Sequence, residues 1–253
     1  MQSIKRQFAF LALACAAAAA QADGVSDLRA ALARYAAQAP LRATLEVKTF
    51  DRHGEGKDAE DKSGQASVLI DDGPRGLQVT YAKDMLALVD GESRRQARDP
   101  KAKTPTLWAL ERLDASEYAP MVSAASRLAL RLEDAIPKGE KAEDWQGKPA
   151  RRLSFAIPDT HLSESERKYV KNFEASIDVW IAADGTPLAS AERAEVSGRA
   201  FVVVSFESKQ EDSATYAVVG DRLVALRRES HNVSSGAGEK GEQRVVKTLQ
   251  LLP

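Results

Sequence analysis

Two short stretches of this 253-residue chain carry the spelling of functional motifs, and three histidines and one cysteine complete the set of residues that could do chemistry. Gly236-Ala237-Gly238-Glu239-Lys240-Gly241 reads G-x-G-x-x-G. A dinucleotide site needs that loop between a strand and a helix, whose N-terminus then meets the pyrophosphate. Here a strand follows, so the glycines predict a hairpin loop. Ser165-Glu166-Arg167-Lys168 reads S-x-x-K, the nucleophile motif of serine β-lactamases and penicillin-binding proteins. The Ser-Asp-Asn and Lys-Thr-Gly tripeptides those enzymes also need do not occur in the sequence, and the surroundings read as a charged surface helix. His53, His161 and His231 lie far apart and in no His/Cys pattern of a metal site. No G-x-S-x-G elbow accompanies them. The expectation is a non-enzyme with no catalytic set, no metal site and no cofactor.

The one cysteine, Cys15, falls in a segment with a different purpose. Lys5 and Arg6 precede an apolar stretch from Phe8 to Ala20, and Ala20-Gln21-Ala22 places small residues before Asp23. Charge, apolar core and A-x-A site in that order predict a secretory signal peptide over 1–22. The stretch is shorter than the roughly 20 residues of a membrane span, and no transmembrane segment is expected elsewhere. Ala12-Leu13-Ala14-Cys15 offers a rival, a lipoprotein anchored at Cys15, but the leucine usual three residues before the cysteine is here Ala12. Cleavage after Ala22 is the preferred reading. It leaves a cysteine-free chain, long enough to bury a core without disulfides. The 36 basic and 37 acidic residues of the whole chain lose only Lys5 and Arg6 with the leader. No basic field remains for nucleic acid, which is not an expected partner.

The elements that would position a binding site begin with an amphipathic helix. Ser26 is the expected cap, Leu28, Ala31, Leu32, Tyr35 and Ala39 recur at helical spacing, and Pro40 ends the segment. Over 41–50 the period becomes two, with Leu41, Ala43, Leu45 and Val47 alternating against Arg42, Thr44, Glu46 and Lys48. A charged connection over 51–63 leads to a strand with Ala66, Val68 and Ile70 on one face. A turn at Asp71-Asp72-Gly73-Pro74 leads to a third with Leu77, Val79 and Tyr81. Residues 83–136 read as a helical insert whose longest helix covers 116–132, with Met121, Ala125, Leu128 and Leu132 along its stripe. A charged linker at 138–144 and a turn at Trp145-Gln146-Gly147-Lys148 precede a strand with Leu153, Phe155 and Ile157. A short helix is expected over 163–173. Strands are then expected over 175–182, 187–197, 199–211, 214–219, 222–232 and 242–251, with turns at Asp184-Gly185, Ser197-Gly198, Gly220-Asp221 and 234–241. About nine strands with short turns predict one large antiparallel sheet in a single domain over 23–253. Phe201 and Val203 face one way while Val202, Val204 and Phe206 face the other. Such a strand must be covered on both faces.

Two segments carry a resemblance to a known family. Residues 64–81, a strand, a turn through Gly73-Pro74-Arg75-Gly76 and a second strand, resemble the early glycine and Arg-Pro-Gly hairpin of the LolA/LolB-like superfamily of periplasmic lipoprotein-localisation carriers. The order here is Asp72-Gly73-Pro74-Arg75. Asp178-Val179-Trp180-Ile181-Ala182-Ala183-Asp184-Gly185-Thr186-Pro187-Leu188 resembles the later hairpin, where a Trp-bearing strand turns at Asp-Gly and restarts at Pro-Leu. The resemblance implies an α+β fold. Its large curved antiparallel sheet would be an incomplete β-barrel with an N-terminal helix and a helical insert, holding acyl chains under a helical lid.

The function expected on these grounds is that of a periplasmic or envelope binding protein, with a lipid, an acyl chain or a lipoprotein anchor in the concave face of the sheet. Strand alternation nominates Leu45, Val47, Val68, Ile70, Leu77, Val79 and Val203 as its lining, with helix 116–132 over the opening. The opposite faces of the same strands are the other choice of register. Trp108, Trp145, Trp180, Met85 and Met121 are available either to a cavity or to the core. The alternative function is a non-enzymatic interaction or structural protein with a filled core, docking an envelope protein partner through a sheet edge or the insert.

Overall fold

The structure, a computed structural model, describes residues 23–200 and 204–253; the expected signal peptide, Cys15 and Val203 lie outside the described residues. The elements run α1 (Gly24–Arg34), β1 (Leu41–His53), β2 (Glu60–Gly73), β3 (Gly76–Thr80), α2 (Lys83–Arg98), α3 (Pro105–Leu110), α4 (Ala115–Val122), α5 (Ala124–Arg131), β4 (Ile136–Trp145), β5 (Lys148–Ala156), α6 (Glu164–Arg167), β6 (Val170–Ile181), β7 (Pro187–Ala200), β8 (Val204–Val219), β9 (Arg222–Gly236) and β10 (Glu239–Leu251). The fold is α+β. Its strands form one ten-stranded antiparallel sheet in the order β3-β2-β1-β10-β9-β8-β7-β6-β5-β4, curved but not closed into a barrel.

The strand order explains the helical insert. The sheet grows outward by hairpins on either side of the β1–β10 pair, so β3 and β4, consecutive in the chain, stand at opposite edges. The connection between them has to cross the sheet. It does so as α2–α5, and with α1 it forms a helical layer over one face, with α3 on β1 and β2 and α4 and α5 on β9.

Alternation decides which face is covered. Leu41, Ala43, Leu45, Val47 and Thr49 of β1 are buried, while Arg42 and Lys48 between them are exposed. The register sets Leu45 opposite Val68 on one side and Leu249 on the other, and Ala43 opposite Ile70. Across the sheet Leu153, Val179 and Ile177 occupy the same inner face, meeting Leu28 and Leu32 of α1 and Met121, Val122, Ala125 and Leu128 of α4 and α5 in one cluster. Full burial of a Leu, Ile or Val contributes about 1.5–3 kcal/mol, so the residues with 0–2% exposure at Leu45, Ile70, Leu153 and Val179 anchor the layer. The two-residue turns Gln146-Gly147 and Ala237-Gly238 have positive φ at both positions. That twist suits a tight antiparallel hairpin, and the second turn is where the G-x-G-x-x-G spelling falls.

Several elements depart from the sequence reading, each for a local physical reason. The helix cap is Asp23, whose carboxylate accepts from the Val25 amide at 3.2 Å, so α1 starts before Ser26. The helix expected over 116–132 is two helices meeting at Ser123. Pro120 inside α4 cannot donate to the preceding turn, and Ser123 leaves helical geometry at φ −132 and ψ 53. The charged linker at 138–144 belongs to β4, an edge strand that hides no apolar face, and charge is usual on such an edge. The helix expected over 163–173 is confined to α6, because Val170 and Phe173 pair with Gly198 and Val196 of β7. Of the residues expected in strands over 199–211 and 214–219, Arg199 and Ala200 end β7, while 204–211 and 214–219 form the single strand β8, with an irregularity at Thr215 and Tyr216. Ser197-Gly198 lies within β7. A Cβ on Gly198 would come 2.0 Å from the Tyr169 carbonyl oxygen, with the Phe206 ring also in the way. That glycine serves close packing.

Candidate functional site

The helical layer is fastened to the sheet at its ends and rim. Glu92 of α2, 3% exposed, accepts from the backbone amides of Thr106 and Leu107 at 3.1 and 2.8 Å, which satisfies the first turn of α3. Asp114 caps α4 by accepting from the Ser116 amide at 2.8 Å, and its hydrogen bonds with Ser116 hold its carboxyl below the usual range. The Tyr118 hydroxyl donates to the Leu113 carbonyl at 3.0 Å, and burial pushes that phenol above its ordinary value. Two ion pairs then reach the strands. Lys247 of β10 pairs with Glu117 of α4, and Arg131 of α5 pairs with Glu192 of β7, its Nε donating to Oε2 at 2.9 Å.

Between those two ion pairs lies a cavity of about 660 Å³, open to solvent. Its floor is two rows of inner-face residues, each crossing neighbouring strands. One row runs Lys247, Arg228, Ala214, Ser190; the next runs Val245, Ser230, Asp212, Glu192, Ile177. Tyr216 adds its hydroxyl 2.7 Å from that of Ser190, and burial raises its pKa. The walls are α4, α5 and the segment before them, through Arg112, Pro120, Ala124, Arg127 and Leu128. Beyond these rows the helical cover ends. Over 170–176, 190–197, 204–213 and 226–236 no residue is buried on either face of the sheet. The cavity is therefore where the packed core meets a bare half-sheet, and its lining passes from apolar to charged across one floor.

The nominated lining residues sit on the same face but under the helices. Leu45, Val47, Val68 and Ile70 have 0–2% exposure in the core cluster, and Val79 packs against it. Leu77 on the edge strand β3 is 40% exposed. None of these six lines the cavity, although Val47 is the cross-strand partner of Lys247. Met85 and Met121 are core residues. Trp145 and Trp180 stack against each other on the outer face, centroids 4.8 Å apart, and Trp180 Nε1 donates to Glu143 at 3.1 Å. Trp108 lies on α3 with the Arg112 guanidinium over its ring.

The remaining motifs stay apart from the cavity. Ser165 lies within, and Lys168 at the C-terminal end of, an exposed four-residue helix whose capping box joins Ser163 and Glu166. His231 Nε2 lies 3.0 Å from Glu242 across the β9–β10 hairpin, and His53 lies beside Asp51. Among the described residues no three metal-ligating side chains come together, and no helix is long and apolar enough to cross a membrane.

The structure resembles that of a LolA superfamily protein from Nitrosomonas europaea. The two chains are 11% identical, with a TM-score of 0.28, and the likeness covers 91% of this chain and 94% of that one. No protein-family model matches the sequence, and none of the curated proteins matches it.

The charged floor of the cavity escaped the sequence reading because Arg228, Asp212 and Glu192 are polar side chains at positions that no apolar stripe marks. Arg228, Ser230 and Asn232 of β9 carry the inner parity that Leu45 and Val47 carry on β1, and no apolar stripe marks them. Only the register joins them to Lys247, Asp212 and Glu192.

Proposed function

We propose that this protein is a non-enzymatic periplasmic or envelope binding protein that takes the apolar chain of a lipid, or the acyl anchor of a lipoprotein, between α3–α5 and the inner face of its sheet. The observation that carries the reading is the cavity at the boundary of core and bare sheet. Its volume falls in the range of roughly 300–1,000 Å³ usual for ligand sites. On the core side it is walled by Leu128, Ile177, Ala214, Tyr216 and Val245. An apolar chain entering there continues into the cluster under the helices. The two α4–α5 segments, joined at Ser123 and tied by one ion pair each, are the part of the cover that must give. Leu45, Val47, Val68, Ile70, Leu77 and Val79 are then the surface that a longer chain would reach. Each methylene so buried contributes about 0.8 kcal/mol.

The test is native mass spectrometry with lipid extraction on the chain purified from a periplasmic fraction. A co-purifying phospholipid, fatty acid or acylated peptide, or uptake of one added, supports the carrier. A clean unliganded mass with no uptake sinks it. That outcome would favour the second reading, a filled-core protein that docks an envelope partner, which draws on the complete burial of Leu45, Val47 and Ile70.

A further inference from the structure

The cavity lining carries six carboxylates and five cations, and Arg228 on its floor is paired with none of those carboxylates. Arg228 is half-buried there, with Lys247 as its neighbour on β10 and Ala214 on β8. Of the carboxylates in the lining, all but the exposed Glu111 are engaged with another group. Glu117 pairs with Lys247, and Glu192 with Arg131. Asp212 accepts from the Gln210 amide at 2.6 Å, and Asp114 caps α4. Glu229, the next residue on β9, pairs with Arg227 and Arg244. Among the described residues Arg228 makes no ion pair and no side-chain hydrogen bond. Arg127 on the wall is in the same position, while Arg112 is taken by Trp108 and Glu111 stands at the rim.

A planar guanidinium presents a fork of donors that matches a carboxylate or phosphate in a bidentate pair. Half-buried beside a second cation, it gives up hydration without receiving that partner. Burial holds the Lys247 ammonium below the ordinary lysine value; Glu117 opposes that shift, and the nearby Arg228 charge adds a smaller push in the same direction as burial. On the core side of Arg228 the lining turns apolar through Ala214, Tyr216, Val245 and Leu128. An occupant that satisfies both halves has an anionic head and an apolar tail.

We infer that Arg228 anchors the carboxylate or phosphate head of an acyl amphiphile whose chain runs from the cavity toward the core under α4 and α5. This rests on the carrier reading above and narrows it to anionic amphiphiles, with Arg127 closing over the head from α5. Uncharged lipids of the same length would fill the apolar part alone.

The experiment compares hexadecanoate, hexadecyl phosphate and hexadecanol by titration calorimetry on the whole mature chain, at a mildly alkaline pH where the acid is ionised. Acetate and inorganic phosphate serve as free heads. The two anionic amphiphiles are expected to bind about tenfold or more tighter than the alcohol. Arg228→Gln should bring them down to the alcohol's affinity and leave the alcohol unchanged, while Arg228→Lys keeps part of the preference. Unchanged melting of both variants shows that the fold is intact. Equal binding of acid and alcohol, or an Arg228→Gln variant that keeps the preference, overturns the headgroup site and leaves the carrier standing. Free phosphate or acetate binding as tightly as its acylated form overturns the amphiphile. Binding of none of the three chains removes the carrier reading itself, and the headgroup site with it.

Discussion

Arg222 at the start of β9 and Asp72 at the end of β2 are 150 positions apart and form a buried ion pair, the arginine only 1% exposed. The guanidinium also donates to the Ala39 carbonyl at 2.9 Å, so one side chain joins the first hairpin, the segment after α1 and the central strands. Its Nε is buried without a partner. A buried pair of this kind contributes little against an apolar replacement, but breaking it from one side strands the other charge. Asp72→Ala should therefore destabilise by about 3–5 kcal/mol. The double variant Asp72→Leu with Arg222→Met should recover most of that loss. Urea denaturation of the three proteins measures both.

The approach of α3 to the sheet depends on Gly64 having no side chain. A Cβ there would lie 2.2 Å from the Pro105 carbonyl oxygen and 3.3 Å from the Ala109 methyl. Because the first contact is backbone, no rotamer change relieves it, and α3 must lift from β2. Gly64→Ala should cost about 2–3 kcal/mol by overpacking. Gly139→Ala, whose Cβ meets nothing within 4 Å, should stay within about 0.5 kcal/mol of the parent. Thermal melts of the two variants make the comparison.

How much of this was legible in the sequence follows from where the apolar residues lie. β1 was readable from end to end of its covered part because Leu41, Ala43, Leu45 and Val47 face one core. β4 was not, because both of its faces meet solvent and its charges resemble those of a linker. The break at Ser123 had a visible cause in Pro120, yet the stripe Met121, Ala125, Leu128 runs across it, since both helices turn the same side to the sheet. The site was least legible. Lys247, Arg228, Asp212 and Glu192 come from four strands, and each alone reads as a solvated position. The antiparallel register, which pairs Lys247 with Arg228 and Asp212 with Glu192, is information about partners that a single strand does not contain.

Glu92 is a cap supplied across elements, so its loss should loosen α3 more than α2. Its carboxylate takes two amides of the first turn of α3 from a position that is nearly sealed from water. Replacement by alanine leaves those donors unpaired, and about 1–3 kcal/mol should be lost. Glu92→Gln keeps one acceptor and should lose less. Hydrogen exchange should show faster opening at Thr106 and Leu107 in both variants, with the strand amides of β9 and β10 unchanged.

The Glu117–Lys247 pair makes the hold of α4 on the sheet depend on pH. Lys247 has a side chain 10% exposed, whereas Glu117 keeps 39% and remains partly hydrated. Burial lowers the Lys247 pKa and Glu117 pulls it back up. Since the folded value lies below the unfolded one, the unfolded chain binds the extra proton between the two. Stability from this site therefore rises with pH across that window and is at its lowest below it. Glu117→Gln removes the opposing pull, so it should cost about 1–2 kcal/mol near neutral pH. That deficit should fade on the alkaline side as Lys247 loses its proton in both proteins. Lys247→Met removes the buried cation altogether. It should match or exceed the parent's stability at neutral pH and show a flatter profile toward alkaline pH. Chemical denaturation of the three proteins at several pH values decides it: a Glu117→Gln deficit that persists undiminished at alkaline pH would mean that the glutamate acts through packing and not through the charge of Lys247.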